Sequence, residues 1–243
     1  MNRTRIIVAI LLLLTGMAVA ACVGGEKPRQ NAKGNRMHVE TIVVGPLGVN
    51  CLLIDCGNGE GVIVDPGAEP GRILHLAASR KLKIVHVINT HGHFDHVGGN
   101  RAVVDATGAT LLIHPADVAQ LKRAAEVATM YGLSTEDSPP PDRELSDGMR
   151  ISVGNTTIAV LHTPGHTPGG CSLYLADRGL VVTGDTLFAD SIGRTDLPGG
   201  SLETLVDSIR TKLYTLPDET VVIPGHGPST TIGEEKRNNP YVR

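Results

Sequence analysis

The sequence predicts an α/β fold in which two mixed β-sheets pack face to face, with helices on their outer sides. Three observations lead there. Short apolar or alternating runs of strand type occur in both halves of the chain. Each half is strand-rich first and helical afterwards, so the halves look alike in outline. Helices are too few to alternate with every strand, which excludes a doubly wound parallel sheet and an eightfold barrel of βα units.

In the first half, Val39 to Val44 and Cys51 to Asp55 are strand-type runs joined through Pro46-Leu47-Gly48. A turn at Asn58-Gly59 leads to a third strand, Gly61 to Asp65. Gly71 to Arg80 reads as a helix, with Ile73, Leu74, Ala77 and Ala78 on one face. Ile84 to Ile88 is a buried strand, followed by a helix from about His96 to Val104 and a strand at Thr110 to Ile113. One helix is expected from about Pro115 to Met130, with proline at its first turn where the missing N–H is harmless.

After the rigid segment Ser138 to Asp142 the period returns to two. Strands are expected at Met149 to Val153, Thr156 to His162, Cys171 to Leu175 and Leu180 to Thr183. Leu187 to Gly200 has no clear period. Ser201 to Leu213 reads as a helix with Ser201 as its N-cap, and Thr220 to Ile223 as a last strand.

The chain has no Trp, four Tyr and two Phe, so its core must be built from Val, Ile, Leu and Ala. A formal charge of -3 argues against nucleic acid as a partner. Residues 1–21 read as an export signal: Arg3 and Arg5, then an apolar run from Ile6 to Leu14, then small residues ending in Val19-Ala20-Ala21. Cys22 stands where a bacterial lipoprotein signal, which this segment resembles, has its acylated cysteine. That resemblance implies an exported protein of the bacterial cell envelope, held to the membrane by a lipid at Cys22 and facing the periplasm. Residues 22–37 are polar and glycine-containing, as expected of a flexible linker, and residues 38–243 form the folded domain. Cys51 and Cys56, five apart, fall on opposite faces of one strand, so buried free thiols are expected there and at Cys171.

The chemistry concentrates in Thr90-His91-Gly92-His93-Phe94-Asp95-His96, directly after a buried strand. Three imidazoles and a carboxylate crowded together are costly to bury without a shared partner, and a metal is such a partner. His91 and His93, two apart in extended chain, can point the same way, while Asp95 and His96 lie where the chain turns into a helix. His166, Asp185 and His226 each follow an apolar strand and sit beside a glycine. One polar group ending a strand is commonly a turn residue, but seven ligand-type groups at strand ends form a pattern. Catalytic zinc sites use imidazole and carboxylate, about four ligands each. These groups suit two metals if one carboxylate bridges and a water completes both shells.

These segments, with Gly165-His166-Thr167-Pro168-Gly169, Gly184-Asp185-Thr186 and Gly225-His226-Gly227, resemble the metallo-β-lactamase superfamily of hydrolases over nearly all of residues 38–243. The resemblance implies a four-layer αβ/βα sandwich with a binuclear centre at the sheet edge. It assigns His91, His93 and His166 to one metal, Asp95, His96 and His226 to the other, and Asp185 as the bridge. Asp65 matches a carboxylate that orients the histidine loop. The implied cofactors are two divalent metals, zinc first, with iron or manganese as alternatives.

Gly193-Arg194-Thr195-Asp196-Leu197-Pro198 and the ending from Pro224 through Glu235 to Tyr241 resemble the short glyoxalase II-like (hydroxyacylglutathione hydrolase-like) proteins. The C-terminal helical domain that contacts glutathione in longer members has no counterpart after the last ligand. The implied reaction is hydrolysis of a small thioester such as S-lactoylglutathione by a metal-bridging hydroxide, with Asp95 and Asp185 as the catalytic carboxylates. Arg194 could anchor a substrate carboxylate, or it could tie its own loop to Asp196. A mononuclear iron persulfide dioxygenase and a β-lactamase are the alternatives. Asp185 as a bridge speaks against the lactamase, whose second metal is held without one.

Overall fold

A computed structural model describes residues 38–242. The expected signal, linker and Cys22 lie outside the described residues, as does Arg243 at the expected domain's end. Among the described residues no helix is long and apolar enough to cross a membrane.

The first sheet takes Val39–Val44 (β1), Val49–Gly57 (β2), Glu60–Val64 (β3), Lys83–Ile88 (β4), Thr110–Ile113 (β5) and Arg143–Glu144 (β6), in that spatial order. Its first three strands are antiparallel neighbours, and β3 through β6 run parallel. Pro70–Ser79 (α1) and Asn100–Thr107 (α3) supply the crossovers, with the short Phe94–Val97 helix (α2) between β4 and α3. Val118–Leu121 (α4) and Ala124–Met130 (α5) follow β5.

The second sheet contains Arg150–Val153 (β7), Thr156–His162 (β8), Cys171–Leu175 (β9), Leu180–Gly184 (β10), Val221–Pro224 (β13) and Thr230–Thr231 (β14), in the order β14-β13-β10-β9-β8-β7. Between β10 and β13 the chain makes a small hairpin, Leu187–Phe188 (β11) with Ser191–Ile192 (β12), and a helix, Leu202–Ser208 (α6), that runs into a π-turn at Ile209–Leu213. Ile232–Asn238 (α7) closes the chain.

The alternation of side chains along each strand explains why the sheets stack. On β2 and β3, Leu52, Ile54, Val62 and Val64 face Ile158, Val160, Leu173 and Val182 of the second sheet. Leu53 and Ile63, one position off, turn outward to Ile73 and Ala77 of α1 and Val103 of α3. On the far side, Val181 and Val222 pack against Leu205, Ile209, Leu213 and Ile232. Strands covered on both faces must be apolar at successive positions, which is why their runs are nearly continuous. The layers are therefore helix, sheet, sheet, helix, as expected.

Two expected helices are broken. Residues 96–104 contain a gap at Gly98-Gly99, where the Gly99 N–H donates to Pro66 O at 2.7 Å. A Cβ at Gly99 would lie 2.5 Å from that oxygen, so the strand end after β3 could not approach a continuous side-chain-bearing helix. Residues 115–130 form a 3-10 turn, α4 and α5 in place of one helix. The buried Asp117 carboxylate, at the junction of that turn and α4, is engaged by neighbouring loops, and the chain leaves helix between α4 and α5 at Lys122-Arg123. The Ser201 cap is as expected, its hydroxyl accepting from Thr204 N at 3.3 Å.

Cys51 packs outward and Cys56 inward, on opposite faces of β2, and both are free, as is Cys171. Burial pushes the Cys56 thiol up to about 11, and pushes Cys51 and Cys171 well above the ordinary thiol range. All three stay protonated near neutral pH. They should resist Ellman's reagent in the native protein and react once guanidinium unfolds it. Rapid native-state labelling at any of them would contradict this packing.

Candidate metal centre

The centre is assembled from segments that leave the C-terminal ends of β3, β4, β8, β10 and β13. Strands β3 and β4 are parallel, so Asp65 and the Thr90–His96 segment emerge at one edge. β10 and β13 are parallel, and β8 joins them through two antiparallel steps, so His166, Asp185 and His226 emerge together. Backbone hydrogen bonds fasten the two edges: Cys171 N donates to Thr90 O and Asn50 N to Gly225 O, each at 2.8 Å. The Asn50 side chain adds donations to Pro224 O and Gly227 O, both at 2.9 Å.

Within this rim the residues form two adjoining groups. His93 Nδ1 lies 3.1 Å from His91 Nε2 and 2.9 Å from His166 Nε2. His226 Nε2 lies 3.3 Å from both His96 Nε2 and Asp95 Oδ2. Asp185 stands between them, its Oδ2 3.6 Å from His166 Nε2 and 3.7 Å from His226 Nε2, its Oδ1 3.5 Å from His96 Nε2. The expected ligands are therefore all brought together. Asp65, His91 and His96 also converge, but the Asp65 oxygens already engage the Thr90 amide, the Thr90 hydroxyl and His96 Nδ1. Asp65 is thus an orienting group.

The unused ring nitrogens explain which atoms face inward. His96 Nδ1 lies 3.0 Å from Asp65 Oδ2, His166 Nδ1 2.8 Å from Arg194 O, and His226 Nδ1 3.0 Å from Leu47 O. His91 Nδ1 lies 3.1 Å from Thr90 Oγ1, which itself donates to Asp65 Oδ2 at 2.6 Å. A proton held at Nδ1 leaves the Nε2 lone pair directed at the centre. Asp65 does this from a left-handed backbone conformation, φ 50°, one that Asp adopts more readily than most residues.

A cation fits this donor set. Nitrogens bound at about 2.0–2.1 Å to a tetrahedral metal stand about 3.3 Å apart, close to the separations here. Burial, and then the neighbouring rings, hold His91 and His93 well below the usual imidazole range, so both are neutral donors. Burial also opposes charge on His96, yet Asp185, Asp95 and Asp65 push it up to about 10, a pull on positive charge that a cation at Nε2 would satisfy in place of the proton. Burial raises Asp95, but His96 and His226 outweigh it and hold the carboxyl far below its usual range. Asp185 Oδ1 is buried without a hydrogen-bond partner, which is costly unless something positive completes it. Gly225 keeps that space clear, since a Cβ there would lie 2.2 Å from Asp185 Oδ1 and 2.7 Å from His96 Cε1.

Arg194 is held elsewhere. Its guanidinium donates to both Asp196 oxygens, at 2.9 and 2.8 Å, and its carbonyl, as noted, fixes His166. Of the two sequence expectations for this side chain, the loop tie is the one observed.

Asp117 was not singled out from sequence. Fully buried, it accepts from Gly92 N (2.9 Å), Thr167 Oγ1 (2.7 Å) and Gly169 N (2.6 Å), so one carboxylate ties the His91–His93 loop to the His166 loop. An aspartate in an apparent helix start reads as an N-terminal helix residue, and nothing local marks it as more. Asn50 was missed for a similar reason, lying inside an apolar strand.

A family model described as "Metallo-beta-lactamase superfamily" matches residues 44–226. The hydroxyacylglutathione hydrolase GloC of Haemophilus influenzae is 38% identical over 208 residues, covering 85% of this chain and 98% of its own length. Among solved structures, TTHA1623 in a di-iron-bound form is 40% identical with a TM-score of 0.79, covering 84% of this chain and 100% of that one. The BLEG-1 B3 metallo-beta-lactamase is 35% identical with a TM-score of 0.80, covering 84% and 99%.

An amide at position 117 cannot accept all three of these hydrogen bonds. Asp117→Asn should lower metal affinity in the His91–His93–His166 group by about 10–100-fold while the other group still fills. Elemental analysis after dialysis against graded chelator should show loss of one metal before the other, with the melting temperature falling along with that loss. Equal retention of both metals would contradict the assignment.

Proposed function

The chain belongs to the metallo-beta-lactamase superfamily of metal-dependent hydrolases, and we propose that it cleaves a small acyl thioester at a two-metal centre. The observation that carries this is Asp185, whose two oxygens face both groups of ligands. Zinc is the first expectation for both positions. The similarity to a di-iron-bound protein makes iron the next to test, and manganese follows.

His91, His93 and His166 would hold one cation, Asp95, His96 and His226 the other, and Asp185 both. Bound there, divalent cations supply hydroxide at neutral pH and polarise a carbonyl. Asp95, kept ionised by His96 and His226, accepts a hydrogen bond from the attacking oxygen and aims it at the carbonyl carbon. The thiolate leaves without a general acid from the chain, since a thiol's pKa of about 8.5 makes its anion a good leaving group. Asp65 and the backbone carbonyls of Arg194 and Leu47 keep the rings from turning during the cycle.

Similarity to BLEG-1 favours a lactamase as a second reading, and the position of Asp185 opposes it. A persulfide dioxygenase is the third. The metal-loaded protein, given S-lactoylglutathione, short acyl thioesters, nitrocefin and, with oxygen uptake recorded, glutathione persulfide, separates them. Thioester hydrolysis should vanish on chelation and return with metal. Asp185→Asn should cost about 10²–10³ in kcat. Hydrolysis that survives complete metal removal would end the proposal.

The same reading takes the partner to be a small molecule and not nucleic acid, and the location to be the bacterial envelope, through lipid attachment at Cys22. The leader and its Val19-Ala20-Ala21-Cys22 ending support it. The full chain should incorporate an alkyne-tagged palmitate, and Cys22→Ser should abolish that labelling. Label retained in the variant would refute the anchor.

A further inference from the structure

A cleft of about 340 Å³ opens beside Asp95, between the β1–β2 turn, the segment after β3, helices α2 and α3, and residues 133–136. Its volume is at the small end of ligand sites. The walls are aliphatic and aromatic: Val44, Leu47, Phe94, Ala102 and Leu133. Leu47 is 48% exposed, a large aliphatic side chain left in water on a turn whose carbonyl is fixed by His226. Phe94 directly precedes Asp95 and stacks against Tyr131, ring centroids 5.5 Å apart. The cleft is thus built onto the centre's own supports.

Besides Asp95, which faces the metal centre, its ionisable groups are two acids, Glu69 and Glu136, with no Lys, Arg or His in the lining. Glu69 is already paired with Arg72, and Glu136 is exposed. An anion entering this space would lose water and find no cationic side chain in the lining to replace it. The common carrier thiols, glutathione and coenzyme A, are anions, so the thiol arm of a thioester is the wrong occupant. The acyl arm is the one that can be apolar.

We infer that the cleft beside Asp95 takes the acyl chain of the substrate, and that it selects unbranched apolar chains over chains ending in a carboxylate. The inference rests on the thioester reading above. The reaction served is water plus acyl thioester giving carboxylate and thiol: a C–O bond forms at the carbonyl carbon, the C–S bond breaks with its electrons to sulfur, and water's protons pass to the thiolate and solvent.

The test uses the metal-loaded protein with acetyl, butyryl, hexanoyl and succinyl thioesters of N-acetylcysteamine, an uncharged thiol. Each methylene buried should raise kcat/KM about fourfold, mostly through KM. Hexanoyl should then exceed acetyl by on the order of a hundredfold, with succinyl no better than acetyl. Ala102→Phe, on α3 and away from the ligands, fills the cleft and should flatten the chain-length dependence while metal content stays as it is. Glu136→Lys should raise succinyl turnover relative to butyryl. A flat chain-length series, or succinyl equal to butyryl in the unmodified protein, would overturn the acyl assignment while thioester hydrolysis stands. No turnover of any thioester at full metal content would instead end the hydrolase reading. Calorimetry then decides the cleft alone: the uncharged octanamide should bind more tightly than butanamide to the unmodified protein and equally to Ala102→Phe, and equal binding in both proteins would overturn the inference.

Discussion

Asp65 carries a carboxyl group into a place with 1% exposure, and the rest of the centre follows from how that burial is satisfied. A carboxylate there must have its oxygens engaged. The Thr90 amide and hydroxyl take them at 2.8 and 2.6 Å, and His96 Nδ1 stands at 3.0 Å. Thr90 in turn orients His91. One buried charge therefore sets the start of the histidine loop, the first ring and the last, and charge-assisted bonds are strong enough to do so against thermal disorder. Asp117 repeats the device on the other side, gripping Gly92 and the Thr167–Gly169 turn. Two carboxylates that are not ligands hold the loops that carry them.

This division of labour matters because the ligands come from both sheets. Asp65 and the residues from His91 to His96 follow strands of the first, whereas His166, Asp185 and His226 follow strands of the second. The apolar layer between the sheets supplies adhesion but no register, since hydrophobic contact is non-directional. Register at the site comes from the Cys171–Thr90 and Asn50–Gly225 hydrogen bonds and the Asn50 side chain. A cation held by residues of both sheets adds its binding free energy to the same junction, which couples loading to stability.

Legibility in the sequence followed how local each cause is. The strand limits at Val39–Val44, Thr110–Ile113, Thr156–His162 and Cys171–Leu175 were readable because a buried strand needs a particular side-chain pattern within itself. The opposite facing of Cys51 and Cys56 was readable for the same reason. The two-residue strands β6, β11, β12 and β14 carry too few side chains to show a period. Helix α7 could have been found: Thr231-Ile232-Gly233-Glu234 is a capping-box pattern, and Thr231 Oγ1 accepts from Glu234 N at 3.2 Å. Asp117 and Asn50 could not, because their partners lie 25 to 177 residues away. What makes those side chains important is tertiary, and one chain read in order does not contain it.

The two sides of the centre differ in polarity, and that difference can orient a substrate. On the Asp95 side the surface is apolar and its ionisable groups are acids. On the His166 side stands Arg194, paired bidentately with Asp196. Both partners of that pair are exposed, at 56% and 70%, so water screens the attraction. Under the proposed function, an incoming carboxylate or phosphate would have little to displace there, and Arg194 would leave Asp196 to receive it. A molecule with an apolar acyl end and an anionic thiol end meets complementary surfaces in one orientation and mismatched ones in the other. On the thioester proposal, the matched orientation would set the carbonyl carbon over the seven proposed ligands and the sulfur toward the arginine side, where a departing thiolate, newly negative, would also be best received.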